Sequence, residues 1–437
     1  MIRVNNIHLS LDYDDKSVRK AVAQQLRIEE KSIKSCKIFR RSVDARKKDN
    51  IYFLTTVDAE LNINEDKVCK KCGNAQIARK YEYNQMKFGN APSPIVVGAG
   101  PAGLFAALIL ARSGANPILI ERGRDVDRRT ADVNRFWTSG KLDITSNVQF
   151  GEGGAGTFSD GKLNSGTKDI RQRKVLEEFV SHGAPDEILY NAKPHIGTDM
   201  LKGTIKNIRN EIIELGGRVM FETKLVSMAF SDNKLKSITV ETANGDEIIE
   251  TDNVILAIGH SARDTFEMLY DLKLPIEAKP FSVGARIEHL REKVDKAQYG
   301  RFAGNKKLGS ANYKLSTHLD NGRGVYTFCM CPGGKVVNAS SEENRLCTNG
   351  MSEFARDADN SNSALLVGIN PDDYESDHPL AGMYLQRKLE SKAFVAGGEN
   401  YNAPIQRVDD FLNNRKSTHL GDVKPSIGPN YEFSNLN

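Results

Sequence analysis

The sequence predicts an α/β protein in three parts: a parallel, helix-covered sheet in the middle, a small α+β unit before it and a β-rich unit after it. Three observations carry this. The apolar run Ile95-Val96-Val97 feeds the glycine turn Gly98-Ala99-Gly100-Pro101-Ala102-Gly103 and then a helical apolar pattern. Strand and helix patterns alternate from Ile95 to about Leu272, the mark of a parallel sheet. After Pro275 the texture breaks into short β-type runs separated by Gly, Pro and Asn. The expected boundaries are 1–90, 91–275 and 276–437.

Size and charge narrow the class. At 437 residues, 39% hydrophobic and 27% charged, the chain has the balance of a soluble globular protein with room for two to four domains. Its net charge is only +4, too little for a nucleic-acid or membrane binder held by bulk charge. Residues 1–90 carry 19 Lys and Arg against 12 Asp and Glu, so this +7 segment stands apart as a possible protein-docking surface. The chain opens Met-Ile-Arg-Val-Asn-Asn without a charged-then-apolar leader, which predicts a cytoplasmic protein whose six cysteines are reduced. The uncharged stretch Phe88–Ala111 has the length of a membrane span, but Pro92, Pro94, Gly98, Gly100, Pro101 and Gly103 make it a strand, turn and helix instead.

In the first segment, Ile2 and Val4 and then Ile7, Leu9 and Leu11 alternate as in a strand with one slip at Asn5-Asn6, which predicts a bulge. Asp14 or Asp15 caps a helix bearing Val18, Ala21, Val22 and Leu26. Strands follow at Ile38–Val43 and Ile51–Val57 around the basic tip Arg46-Lys47-Lys48. A second helix is expected from Asn64 through Arg79, and a closing strand at Tyr81–Tyr83. The order is that of a ferredoxin-like sandwich. Phe39, Tyr52 and Phe53 lie on its strands, but no RNA-binding aromatic run accompanies them, so nucleic acid is not the expected partner. Ala91–Pro94 reads as a linker.

The glycine turn has the parts that dinucleotide binding requires. Gly98 permits the tight turn, Gly100 lets backbone approach a pyrophosphate, and Gly103 lets the helix lie close on the strand. Pro101 is tolerated in the first helical turn. The helix N-terminus offers free N–H groups and partial positive charge to phosphate. Leu104, Ala107, Leu108 and Ala111 share one helix face, and Gly114 ends it. The strand Ile118-Leu119-Ile120 then delivers Glu121, placed to accept from a ribose hydroxyl. These features fit FAD and NAD equally.

Further on, Phe150–Leu163 holds five glycines in the eleven residues from Gly151. Such density lets backbone approach something flat or anionic. Gly153, Gly154 and Gly156 are therefore candidates for the edge of a flavin, with Lys162 a candidate positive charge beside it. A strand reading Gly216–Leu225 brings Leu225 near an adenine. Asn253–Gly259 is read as a buried parallel strand, with Ser261 capping the helix that carries Phe266 and Leu269. His260, at the strand's carboxyl end, is a candidate acid or base.

Gly98–Gly103, Glu121-Arg122, the glycine loop and Leu256-Ala257-Ile258-Gly259 resemble the glutathione-reductase-like FAD fold. More closely, FGEGGAGTFSDGKL at Phe150–Leu163, KPHIGTD at Lys193–Asp199, CMCPGG at Cys329–Gly334 and NGMS at Asn349–Ser352 resemble the bacterial FAD-dependent or NAD(FAD)-utilizing dehydrogenases over nearly the whole chain. That resemblance implies an FAD-binding Rossmann-type domain, Arg122 and Gly259 among its cofactor-binding residues, a β-rich substrate domain, and FAD as cofactor with NAD(P)H a candidate electron donor. It also implies a C-terminal FAD segment; Val395–Glu399 lacks the apolar helix such a segment needs, so the chain reads as shortened relative to that family.

The expected function is hydride transfer between a small-molecule substrate and flavin N5. Two other readings stay open: a catalytically incompetent chain or partner-binding scaffold, and a flavin enzyme acting on RNA. No metal site is expected. Cys69/Cys72 sit in a lysine-rich helix, and their spacing to Cys329/Cys331 does not support a joint zinc site. His195 and Asp199 are expected to bind substrate or to cap the helix beginning near Met200.

Overall fold

The computed structural model describes residues 1–79, 81–88, 93–167 and 169–436. Part of the expected linker, residues 91 and 92, lies outside them.

The N-terminal unit forms as the alternation predicts. Strand β1 (Ile2–Leu9) slips register between Val4 and Ile7, where Asn6 takes a φ of 59°. Helix α1 (Asp15–Leu26) begins at Asp14, whose carboxylate accepts the Ser17 N–H at 2.8 Å, and buries Val18, Val22, Ala23 and Leu26. Strands β2 (Ile33–Asp44) and β3 (Tyr52–Leu61) pair antiparallel, and β1 pairs with β3. Asn64 caps α2 (Glu65–Lys71), which stops eight residues short of the expected Arg79. Gly73 and Asn74 break it, and β4 (Ala75–Ile77) turns back to pair with β1. The closing strand is therefore β4, and Tyr81–Tyr83 has no regular structure. The order β2-β3-β1-β4, antiparallel at every step, is the ferredoxin-like one.

The central sheet has the order β11-β5-β6-β7, all parallel. It comprises β5 (Ile95–Val97), β6 (Ile118–Ile120), β7 (Arg218–Met220) and β11 (Val254–Leu256). Helix α3 (Pro101–Arg112) packs on it through Leu104, Ala107, Leu108 and Ala111. Helices α4 (Val126–Ser139), α5 (Gln172–Ser181) and α6 (Thr198–Glu214) follow before β7. The sequence does not predict the antiparallel meander β8 (Lys224–Ser231), β9 (Lys234–Thr242) and β10 (Gly245–Glu250) that comes next. Its first turn uses Asp232 and Asn233, both at positive φ, as a two-residue hairpin requires. The single strand expected over Gly216–Leu225 is thus two, in different sheets, broken at Glu222 with φ 52°.

Two expectations at the sheet's edge are corrected. Strand β11 is not buried: Ile255 and Leu256 are 40% and 39% exposed, because β11 has a neighbour on one side only. Helix α7 (Arg263–Asp271) begins at Ala262 rather than Ser261, whose hydroxyl instead reaches the Gln149 side chain at 3.0 Å.

The remaining chain is mainly antiparallel, as expected, the exception being the short parallel pair Ala403–Ile405 and Tyr431–Phe433. Strands β12 (Phe281–Leu290), β13 (Ser316–His318), β14 (Gly324–Cys331) and β17 (Asn360–Ile369) order as β12-β17-β14-β13. The pair β15 (Lys335–Asn338) and β16 (Thr348–Met351) forms a separate ribbon. Helix α8 (Arg291–Tyr299) follows β12, and α9 (Ala381–Ala396) follows β17. Among the described residues no helix is long and apolar enough to cross a membrane.

Candidate functional site

The parallel strands β5, β6 and β11 end on the same side, and their carboxyl ends open onto a cavity of about 630 Å³. That is where ligands bind in open α/β sheets, and the volume suits a small-molecule or cofactor site. Its floor is the glycine turn. Gly98 (φ 103°) lies against β11, where a Cβ would come within 2.5 Å of the Ala257 carbonyl oxygen. Gly100 caps α3 with Pro101 in the first turn. Gly103 does not face the cavity; its missing Cβ would stand 1.8 Å from the Gly98 carbonyl oxygen, so it sets the close packing of helix on turn.

Glu121 reaches back to that turn from the end of β6, where it is buried. One carboxylate oxygen accepts the Ala99 N–H at 2.8 Å; the other accepts those of Gly123 and Gly151 at 2.9 and 3.0 Å. The carboxylate thus ties three loops together and still lines the cavity. Arg122 lines it too, stacked over Phe150 and paired with Asp264 at 2.9 Å. Lys224 meets the same carboxylate at 2.8 Å. Burial works to raise the Asp264 pKa, but these two cations outweigh it and hold the group at about 2.

The second glycine loop rests on the first. Gly153 (φ 83°) donates to the Ala99 carbonyl at 2.8 Å, and a Cβ on Gly154 would stand 3.0 Å from the Gly100 Cα. Gly154 and Gly156 line the cavity, whereas Gly153 lies behind it against Thr157 and Ile205. What holds this loop is a residue the sequence reading passed over. Arg129, on α4, is fully buried and donates to the carbonyls of Asn147, Val148, Glu152 and Gly154 at 2.6–3.0 Å. Its spacing from the loop gives no local signal; only the surplus of loop carbonyls without partners calls for such a donor.

Leu225, at the start of β8, and Gly259 and His260, after β11, complete the wall. Loss of hydration beside the protein, with the Arg263 cation near, lowers the His260 pKa. Lys162 does not line the cavity. It pairs with Asp160 at 2.7 Å and stands 3.9 and 3.6 Å from the sulfurs of Cys329 and Cys331. His195 and Asp199 do not cap α6, which begins after Gly197. The Asp199 carboxylate accepts the Phe354 N–H at 2.8 Å, and the His195 ring stacks on Phe354 with Nε2 3.0 Å from its carbonyl oxygen. No group of three or more His, Cys, Asp or Glu suited to a metal occurs among the described residues.

A glycine turn on a helix N-terminus, an acid at the end of the next strand and a cavity at the strands' carboxyl ends define a dinucleotide-binding α/β protein. Residues 93–132 match the FAD binding domain, and residues 280–437 match the family described as FAD-dependent protein, C-terminal domain-like. Residues 1–60 match a domain of unknown function. An uncharacterized protein of Clostridium beijerinckii is 48% identical over 441 residues, covering all of this chain and 82% of its own length. The chain belongs to the same family as that protein, and its own matched segments are those of an FAD-dependent oxidoreductase. Among solved structures, a flavoprotein/dehydrogenase from Cytophaga hutchinsonii is similar at 13% identity and a TM-score of 0.32, over 69% of this chain and 62% of that one. The OxyS anhydrotetracycline hydroxylase from Streptomyces rimosus is similar at 13% identity and a TM-score of 0.31, over 64% of this chain and 45% of that one.

Proposed function

We propose that the protein is an FAD-dependent dehydrogenase that exchanges hydride with a small-molecule substrate, the NAD(P)H/NAD(P)+ couple being its second redox partner, so that one reductant always faces one oxidant. The observation that carries this is the single cavity onto which the Gly98–Gly103 turn, Glu121 and the glycine loop at Gly154–Gly156 all open. The residues fit the group. The free first-turn N–H groups of α3 suit a pyrophosphate, and the glycine backbone leaves room for close approach. Glu121 has lone pairs to spare for a ribose hydroxyl beyond its three N–H donors. Leu225 offers an apolar wall to an adenine, and Arg122 is held in place by Asp264. Gly154 and Gly156 give a flat ring access to backbone. When bound, FAD supplies an acceptor of two electrons and a proton, that is, of hydride. His260 stands on the cavity wall with a lowered pKa, so it is neutral near pH 7 and available to take a substrate proton.

The test is retention of flavin. Purified protein saturated with FAD and then desalted should keep the visible flavin spectrum and lose it anaerobically on adding NADH or NADPH. The variant Ala102→Asp places a negative charge in the first turn of α3, where it suits the helix dipole but repels a pyrophosphate. It should fold with an unchanged circular dichroism spectrum and retain no flavin. A wild-type protein that is folded, monodisperse and colourless after this treatment would overturn the proposal.

A further inference from the structure

Away from the cavity, the turn Cys329–Gly334 brings two thiols to one ammonium group. In a regular strand Cys329 and Cys331 would simply share a face. Here β14 carries one extra residue: Phe328 pairs with Ala364 and Cys331 with Asn362, so three steps on β14 match two on β17. Cys329 sits in this bulge at a φ of 45°, a left-handed conformation that a residue with a Cβ adopts at a cost. The bulge turns both sulfurs toward Lys162 Nζ, 3.9 Å from Cys329 and 3.6 Å from Cys331. Arg286, on β12, donates to the Cys329 carbonyl at 3.0 Å and stands 4.0 Å from the Cys331 sulfur. The nearby carboxylate, Asp160, is shared between Lys162 and Arg356, which donates to it at 2.8 Å. The site therefore keeps a surplus of positive charge facing two sulfurs.

The two thiols differ in access. Cys329 is partly exposed, whereas Cys331 is buried behind it. They also differ in acidity. The Cys331 Sγ–H donates to the Cys329 carbonyl oxygen at 3.3 Å. The neighbouring Cys331 thiol, with Lys162 and Arg286 adding their charge, holds the Cys329 pKa well below the usual thiol range despite burial; the nearness of Cys329 and deeper burial push Cys331 up.

We propose that Cys329 and Cys331 are a redox-active dithiol, with Cys329 the attacking sulfur and Cys331 the resolving one, acting on low-molecular-weight anionic disulfides. The Cys329 thiolate attacks one sulfur of the external disulfide; a new S–S bond forms, the old one breaks, and the first thiolate leaves. With the charge on Cys329 gone, the field of Lys162 and Arg286 acts on Cys331. Its proton passes to the departing thiolate, and its sulfur attacks Cys329, closing the internal disulfide and releasing the second thiolate, which takes a proton from water. Two electrons pass from the protein dithiol to the external disulfide. A second thiol in reach and a cationic surface for anionic groups on the disulfide favour this substrate class.

None of these steps uses the flavin cavity, so the test stands whether or not FAD binds. Iodoacetamide labelling of the native protein across pH 5–9, read by mass spectrometry of peptides, should modify Cys329 at pH 6 at least tenfold faster than Cys36, Cys69, Cys72 or Cys347. Lys162→Met should move the midpoint of that pH profile upward. Glutathione disulfide should convert the wild-type peptide bearing both cysteines to an internal disulfide two hydrogens lighter. In Cys331→Ser it should leave one glutathione attached to Cys329. The proposal is overturned if Cys329 labels with the midpoint and rate of the other cysteines, or if glutathione disulfide gives no internal disulfide in the wild type.

Discussion

At the scale of single residues, buried charge decides more than buried oil. Among the described residues Arg129 has no carboxylate in direct contact; its N–H donors are spent on four carbonyls in and just before the glycine loop, and burial pushes its pKa down. Arg129→Met keeps most of the stem and removes the donors, leaving several buried carbonyls without partners. Stability should drop by at least about 3 kcal/mol in urea titration, since each orphaned buried acceptor costs about 1–3 kcal/mol. Arg129→Lys, with three donors instead of five, should recover only part of the loss. A Met variant within about 0.5 kcal/mol of the wild type would show that the loop holds itself, because that is the ordinary scatter of neutral substitutions. Asp264 makes a pH prediction of definite sign. Its folded pKa of about 2 lies below the ordinary 3.8, so the unfolded chain takes up the proton first. The stability this pair gives is present above pH 4 and lost as pH falls toward 2. In Asp264→Asn the fall in unfolding midpoint over that window should be shallower than in the wild type.

At the scale of elements, what was legible in the sequence is what neighbours in the chain dictate. The bulge at Asn6, the cap at Asp14, and the strand, turn and helix at Ile95–Arg112 follow from local periodicity and capping, and each forms as expected. The misreadings at α2 and β11 are elements whose form depends on distant partners, whereas the meander at residues 224–250 is local, built on the Asp232-Asn233 turn. Helix α2 stops early because residues 75–77 find an open edge on β1. Residues 224–250 leave the parallel sheet because their own hairpins satisfy them. The apolar run in β11 looks buried, yet it forms an edge. The same divide runs through the site. Gly98, Gly100 and Glu121 meet because a strand, a turn and a helix bring them together, while Lys162, besides its neighbour Asp160, meets the sulfur of Cys329 from a bulge 167 residues away. The contact between the two glycine loops makes an element-scale prediction. In Gly154→Ala the new Cβ, 3.0 Å from the Gly100 Cα, must push one turn off the other. Flavin affinity, measured by titration of the apoprotein, should fall roughly tenfold, a change of about 1.4 kcal/mol. Unchanged affinity would mean the turn that meets the cofactor does not depend on the loop beneath it.

At the scale of the whole molecule, the N-terminal sheet is not a loosely tethered appendage. Its core includes Tyr299, from the last turn of α8, and Ala311, together with its own Ile2, Val22 and Val57. Arg41 exchanges backbone hydrogen bonds with Tyr190 and Ala192 at 2.7 and 2.8 Å, and its side chain reaches Asn191 at 3.0 Å. Arg301 donates to the Asp49 carbonyl at 2.7 Å, next to the basic tip at Arg46–Lys48. The three parts therefore share apolar surface and backbone pairing, and they should unfold together rather than in turn. Tyr299 is the lever. Burial lifts its hydroxyl pKa to about 12, and only 7% of the residue is exposed. Tyr299→Ala empties a site between two parts of the chain and should cost about 3–5 kcal/mol. In hydrogen exchange, the amides of β1–β4 and of α8 should lose protection by the same amount. If β1–β4 keep their protection while α8 alone weakens, the N-terminal sheet is stable without the rest, and contacts across Tyr299 carry no shared stability.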